Sequence, residues 1–252
     1  MRIVLARHAT LLVELGGRRL LVDPLLSEPG ALPAVEGTPE QRPNPLVPLG
    51  LPRGELLRDL DGVVVTHLHS DHLDEEALSV LPRELPVFCQ PADAESLAAH
   101  GFTQVRPVDV RVRWDGLNVV RTAGEHGLGA LGRRMGPVSG FVLAAPDEPI
   151  LYVAGDTVWC PAVEEALALH RPHAVVVNAG AAQFLEGDPI TMGASDVART
   201  ARAASHARVA AVHMEAVNHC LLTRAELRAE LVRQGLASRV EVPEDGAELT
   251  VR

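Results

Sequence analysis

Gly62-Val63-Val64-Val65-Thr66-His67-Leu68-His69-Ser70-Asp71-His72 joins an unbroken apolar run to three imidazoles and a carboxylate within six positions. A short valine run bounded by polar residues predicts a strand buried on both faces, the kind found in parallel sheets under helices. Its C-terminal end then delivers four potential metal donors. Imidazole suits zinc, iron and related ions, and a carboxylate adds a hard oxygen. Donors this dense are rarely satisfied by one ion, so two metals are expected.

Outward from this stretch, donor residues recur where other apolar runs end: His126 in Ala123-Gly124-Glu125-His126-Gly127, Asp156 in Val153-Ala154-Gly155-Asp156-Thr157, and His213 after Val209-Ala210-Ala211-Val212. Strand ends are where a scaffold aims side chains into one shared cleft. His219 competes with His213 as the last ligand, and the strand-end position favours His213. The pattern predicts strands over 3–6, 11–15, 20–22, 86–89, 110–114, 117–122, 138–144, 150–154, 174–178 and 209–213. Helices are expected from Asp74 to about Leu81, and over 92–100, 162–170, 194–205 and 224–234. Asp74 followed by Glu75 and Glu76 supplies an acidic cap and first turn. Strand-rich sequence early and strand–helix alternation late imply two sheets covered by helices on their outer faces.

Residues 27–54 are rich in proline and glycine without periodicity and read as a long loop after Asp23-Pro24, either a lid beside the metal site or a surface loop. Gly127-Leu128-Gly129-Ala130-Leu131-Gly132 matches a dinucleotide fingerprint, but no helix is expected through Arg133-Arg134-Met135-Gly136-Pro137, so it reads as a flexible loop. Arg133 and Arg134 are candidates to hold a phosphate or carboxylate.

Thr66-His67-Leu68-His69-Ser70-Asp71-His72 resembles the His-x-His-x-Asp-His motif of the metallo-β-lactamase superfamily, and His126, Asp156 and His213 follow in the order and approximate spacing of that family's remaining ligands. The resemblance implies a four-layer αββα sandwich, two mixed β-sheets packed face to face with helices outside. It also implies that His67, His69 and His126 bind one metal, Asp71, His72 and His213 the second, and that Asp156 bridges them. A hydroxide activated by both ions would be the nucleophile, oriented by Asp71, with its pKa brought toward ~7. Zn²⁺ is expected first, with Mn²⁺ or Fe²⁺ also compatible.

The opening Arg7-His8-Ala9-Thr10-Leu11-Leu12-Val13-Glu14, with Leu21-Val22-Asp23-Pro24, is similar to the ascorbate-6-phosphate lactonase-like branch, where glycine often stands at the place of Arg7. His8 and Asp23 are expected behind the ligands, fixing their orientation. Asn178, Gln183 and Asn218 are candidate substrate contacts, and His219 a candidate proton donor to the leaving group. Relatives that hydrolyse β-lactams often carry cysteine at the place of Asp156 and are usually exported, so antibiotic hydrolysis is not implied. Cys160 is read as a small buried apolar residue.

The expected activity is hydrolysis of an ester-type bond, lactone or phosphoester, in a small metabolite. Its rivals are an iron-dependent oxidoreductase of sulfur dioxygenase type and a nuclease-type phosphodiesterase. The formal charge of −10 argues against nucleic acid as partner. With 47% hydrophobic but only 3% aromatic residues, the core of 252 residues must be built from Val, Leu and Ala, and no linker divides residues 1–252 into domains. Three scattered cysteines give no disulfide framework, and no apolar run reaches membrane-spanning length. A cytoplasmic enzyme acting on a small molecule is expected, with self-association into a homo-oligomer compatible.

Overall fold

A computed structural model describes residues 1–250. The first sheet has six strands in chain order: β1 (Arg2–Arg7), β2 (Thr10–Leu15), β3 (Arg18–Val22), β4 (Gly62–Val65), β5 (Val87–Cys89) and β6 (Val105–Pro107). The first three pair antiparallel through tight turns, and β3 to β6 run parallel. The second sheet has seven, again in chain order: β7 (Arg111–Trp114), β8 (Leu117–Ala123), β9 (Ser139–Ala144), β10 (Leu151–Val153), β11 (Ala174–Asn178), β12 (Arg208–Val212) and β13 (Val240–Glu241). Here β7 to β10 are antiparallel and β10 to β13 parallel.

The valine run of β4 shows how the layers are made. Side chains alternate across a strand, so Val64 points inward to a core shared with Phe141, Leu143, Val153 and Val212 of the second sheet. Val63 and Val65 point outward, to a core with Leu56, Ala77, Leu78 and Leu97. Those residues lie on or beside the helices α1 (Arg53–Leu57), α2 (Glu75–Val80) and α3 (Ala94–Ala99). On the opposite outer face, Val209 and Ala211 of β12 pack with Val163, Val197 and Leu227. These belong to α5 (Pro161–His170), α6 (Ala194–Ala203) and α7 (Arg224–Arg233), while α4 (Gly129–Met135) stands apart and buries no residue. Two mixed sheets between helical layers is the expected sandwich.

Element positions agree with the sequence pattern to within a few residues, the ordinary scatter of boundaries. Asp74 caps α2 as expected, accepting from Ala77 N at 2.8 Å, and also ties down Leu26 N and Ser27 N at 2.9 and 2.7 Å. One expectation is corrected: residues 129–135 form the helix α4 rather than a flexible loop. The dinucleotide reading still fails, because β8 and β9 on either side of α4 are antiparallel neighbours, and a fingerprint needs a parallel crossover. The short α1, β6 and β13 were not foreseen, being too brief to carry a period.

Residues 27–54 lie on the same side as the metal-ligand loops. Arg7 is fully buried beneath them and donates to Leu25 O, Ser27 O and Val47 O at 2.7, 2.9 and 3.0 Å. Burial pushes its pKa down to about 10, so it remains charged. Arg7→Met leaves three carbonyls short of a donor, and urea unfolding should show a loss of about 3 kcal/mol. A loss under about 1 kcal/mol would show that water replaces the guanidinium. Among the described residues no helix is long and apolar enough to cross a membrane.

Candidate metal centre

The parallel strands of both sheets release their chains at one end of the sandwich, where the site forms. β3 runs into Asp23, β4 into Thr66 and His67, β10 into Asp156, β11 ends on Asn178 and β12 runs into His213. The entry of Asp156 depends on Gly155. Its φ is +70°, and a Cβ there would meet Ser139 O at 2.6 Å, so only glycine turns the chain at this point. His8 and His213 take left-handed φ values of +58° and +67°, unusual for residues with a side chain. They hold each other: His213 N–H donates to His8 O at 2.9 Å, and the two ring centroids lie 3.6 Å apart with the rings tilted by 36°. Arg224 steadies the turn after His213 through Glu215 and Asp245, each at 2.7 Å.

Two sets of donor atoms converge. His67 Nε2 and His126 Nε2 lie 3.0 and 3.3 Å from His69 Nδ1. In the second set His72 Nε2 and His213 Nε2 are 3.2 Å apart, with Asp71 Oδ2 at 4.0 and 3.8 Å. Asp156 stands between the sets. Its Oδ2 is 3.3 Å from His72 Nε2, 3.4 Å from His126 Nε2 and 4.0 Å from His67 Nε2, and its Oδ1 is 3.3 Å from His213 Nε2. Lone pairs do not approach so closely without a cation or proton between them. The edge of a tetrahedron built on ~2.05 Å metal–nitrogen bonds is ~3.3 Å, so the spacing fits divalent ions. His213 belongs to these converging groups and His219 does not.

The candidate ligands His67, His69, His72, His126 and His213 each have the far nitrogen engaged, which favours the tautomer that turns a lone pair inward. His126 Nδ1–H donates to Ile190 O at 2.9 Å and His69 Nε2–H to Met135 O at 3.2 Å. His213 Nδ1 lies 3.4 Å from Cys220 Sγ. Asp23 governs both halves: His72 Nδ1–H donates to its Oδ2 at 2.8 Å, and Thr66 Oγ1–H donates to the same oxygen at 2.7 Å while facing His67 Nδ1 at 3.1 Å. Asp23→Ala should therefore weaken zinc binding roughly 10–100-fold, read by competition with a chelating dye. Unchanged affinity would remove Asp23 from the metal centre.

The two halves differ electrostatically. Burial, reinforced by neighbouring imidazoles, lowers the pKa of His67 well below its ordinary value, and burial likewise lowers that of His126. Burial opposes the charged form of His72 and His213 too, but carboxylates overcome it. Asp156, Asp23 and Asp71 hold His72 well above its ordinary value, and Asp156 pushes His213 up to about 10. Burial would raise the carboxyl pKa of both Asp71 and Asp156, yet the imidazoles facing them hold both well below the usual carboxylate range.

His8 Nε2 lies 3.2 Å from Asp71 Oδ2, which places His8 with Asp71, His72 and His213 in one group of converging donors, and burial with the charge on His213 lowers its pKa to about 3. His219 is buried with Nδ1 unpartnered, close enough to Asp71 and Asp156 to feel both charges, and burial pushes its pKa down to about 4. It thus faces the centre as a neutral imidazole.

The expected substrate contacts each meet a protein group. Asn178 Nδ2 donates to Asp156 Oδ1 at 2.6 Å and so orients a ligand. Asn218 spends its carboxamide on the proline-rich loop, accepting from Val35 N at 2.9 Å and Asn44 Nδ2 at 2.7 Å and donating to Thr38 Oγ1 at 2.8 Å. Gln183 donates to Gly187 O at 2.8 Å. Cys160 is buried and free, as are Cys89 and the partly buried Cys220. Sequence reasoning missed Thr66, Cys220, Arg224 and the carbonyls of Met135 and Ile190. Thr66, inside the motif, was the legible one.

Comparison with known proteins agrees with this geometry. The family described as "Beta-lactamase superfamily domain" matches residues 18–214. The chain is 42% identical to the UPF0173 protein YddR of Bacillus subtilis (strain 168), covering 99% of this chain and all of that one. The structure of a possible metal-dependent hydrolase from Veillonella parvula DSM 2008 superposes with a TM-score of 0.96 at 35% identity, over 100% of this chain and 99% of the other. That of isothiocyanate hydrolase from Delia radicum gut bacteria gives a TM-score of 0.94 at 36% identity, over 99% of both. The family match over residues 18–214, with full-length similarity to such relatives in sequence and fold, places the chain in the metallo-β-lactamase superfamily, as a member of the UPF0173 family of metal-dependent hydrolases.

Proposed function

We propose that this hydrolase uses two divalent ions, Zn²⁺ first among them, to add water to an electrophilic carbon of a small organic substrate, and that organic isothiocyanates are its first candidate class. The observation that carries the two-ion reading is the pair of converging donor sets with Asp156 between them. The substrate class rests on full-length similarity to an isothiocyanate hydrolase. Bound ions supply Lewis acidity and an activated water near neutral pH.

The chain's own residues do the rest. His69 and Asp71 are the ligands left partly exposed, so substrate and water approach on their side. Asp71, fixed by His8, directs a water toward the substrate carbon. His219, neutral and with Nδ1 free of protein partners, takes the proton of that water and returns it to the departing nitrogen. The sum is R–N=C=S plus water giving R–NH₂ and COS. The ester-type reading made from sequence uses the same groups, with a lactone oxygen as the leaving atom. Of the two arginines expected to hold a phosphate or carboxylate, Arg134 lines a cleft with Glu36 and Glu186, and Arg133 lines a second cleft with Glu125 and His126.

The test is elemental analysis of purified protein together with assays on benzyl isothiocyanate, a γ-lactone and an aryl phosphodiester. The expected result is two equivalents of metal and release of amine, with both lost in His69→Ala. Turnover of the lactone alone would replace the isothiocyanate assignment, and full turnover by His69→Ala would remove the site.

A further inference from the structure

Between the proline-rich loop, α4 and the segment 184–187 lies an open cleft of about 840 Å³, within the range of small-molecule sites. Leu131, Phe184 and Leu185 line it, with Arg134, Glu36 and Glu186 at its edge. The walls are joined to one another and to the metal centre. Leu185 N–H donates to Gly37 O at 2.8 Å, and Gln183 N–H to His219 O at 2.9 Å. The rings of Phe184 and His219 are 6.5 Å apart between centroids, and the last residue of α4, Met135, holds His69 by its carbonyl.

Phe184 is out of place by the rules of this chain. Aromatic residues are only 3% of the sequence, and the other three phenylalanines, Phe88, Phe102 and Phe141, are buried in the cores. Phe184 stands partly open in a cleft, beside a Leu185 that is 70% exposed, with the Arg134 guanidinium 5.6 Å above its ring. An exposed apolar cluster beside a reactive centre marks a binding surface. Its charges, one cation against two carboxylates, do not favour an anionic ligand.

We propose that this cleft is the specificity subsite for the substrate's uncharged organic arm, with Phe184, Leu131 and Leu185 selecting aryl or bulky apolar substituents over small ones. The proposal rests on the hydrolase reading above for where the reacting carbon sits. Arm and reacting carbon are joined by the Phe184–His219 contact: a substituent against Phe184 leaves its functional group beside the imidazole that handles the proton.

The metal-loaded enzyme should favour benzyl over methyl isothiocyanate in kcat/KM by about tenfold, the discrimination one apolar contact surface commonly gives. In Phe184→Ala that ratio should fall toward one. Leu185→Asp, at an exposed position that should not disturb folding, should lower it as well. A ratio unchanged in both variants overturns the subsite. A second readout needs no turnover: saturation-transfer NMR with 2-phenylethanol, using ethanol as control. Arene binding that is present in the wild type and lost in Phe184→Ala supports the cleft even where no isothiocyanate is consumed, an outcome that strikes only the substrate class. Equal arene binding in wild type and Phe184→Ala rejects the cleft even where isothiocyanates are hydrolysed.

Discussion

Asp156→Ala should abolish turnover, to below about 1% of wild type, and weaken binding of both ions by at least ~100-fold. The argument is positional. Among the described residues Asp156 is the one carboxylate within 4.0 Å of imidazoles from both donor sets, reaching His67 and His126 on one side and His72 and His213 on the other. Single-set variants give the contrast. His126→Ala should empty the first site and leave the second able to bind one ion, and His213→Ala should do the reverse. Elemental analysis after dialysis against zinc separates these outcomes. If Asp156→Ala retained one tightly bound ion per chain, its carboxylate would belong to one site only and the shared role would be wrong.

Much of this centre was legible in the chain because its chemistry is concentrated. Valine-rich strands announce themselves by composition, and donors at their ends share a cleft whatever the details of the loops. Hence the motif and its resemblance could gather the distant His126, Asp156 and His213 with the cluster at 67–72, and set Asp23 beside the ligands without saying which one it touches. What escaped depends on three-dimensional detail with no residue signature. The acceptors for His69 and His126 are backbone carbonyls, which any residue carries. Nothing in the sequence told that the Asn178 amide braces Asp156 or that the Asn218 amide pins the loop 35–44. The helix α4 hid in a glycine-rich run because its seven residues bury nothing, so no amphipathic period marks it.

The proline-rich segment shows the same division. Its length and position beside Asp23 suggested either a cover or a free surface loop. The structure ties it down through groups remote in sequence, Arg7 beneath and Asn218 alongside, so the segment is held by a buried guanidinium and a buried amide.

Binding of the second ion should release about two protons near pH 7, one each from His72 and His213. In the metal-free protein His67 and His126 are held neutral by burial, so their lone pairs are available. His72 and His213 carry protons instead, drawn up by Asp156, Asp71 and Asp23, and must lose them to become ligands. Affinity for the second ion should then rise with pH until it levels off near 10. Stability of the stripped protein should run the other way. A folded pKa near 10 for His213, above its ordinary 6.5, gives stabilisation that is complete below pH 6.5 and is lost as pH climbs through 10. Calorimetric zinc titration in buffers of different ionisation enthalpy counts the protons, and melting of chelator-treated and zinc-loaded protein at pH 6 and pH 9 reads the stability. Raising the pH should lower the melting temperature of the stripped protein and widen the gap between the two forms. Buffer-independent heats for the second ion would mean that His72 and His213 are already neutral, and that the proton network around Asp156 is assigned wrongly.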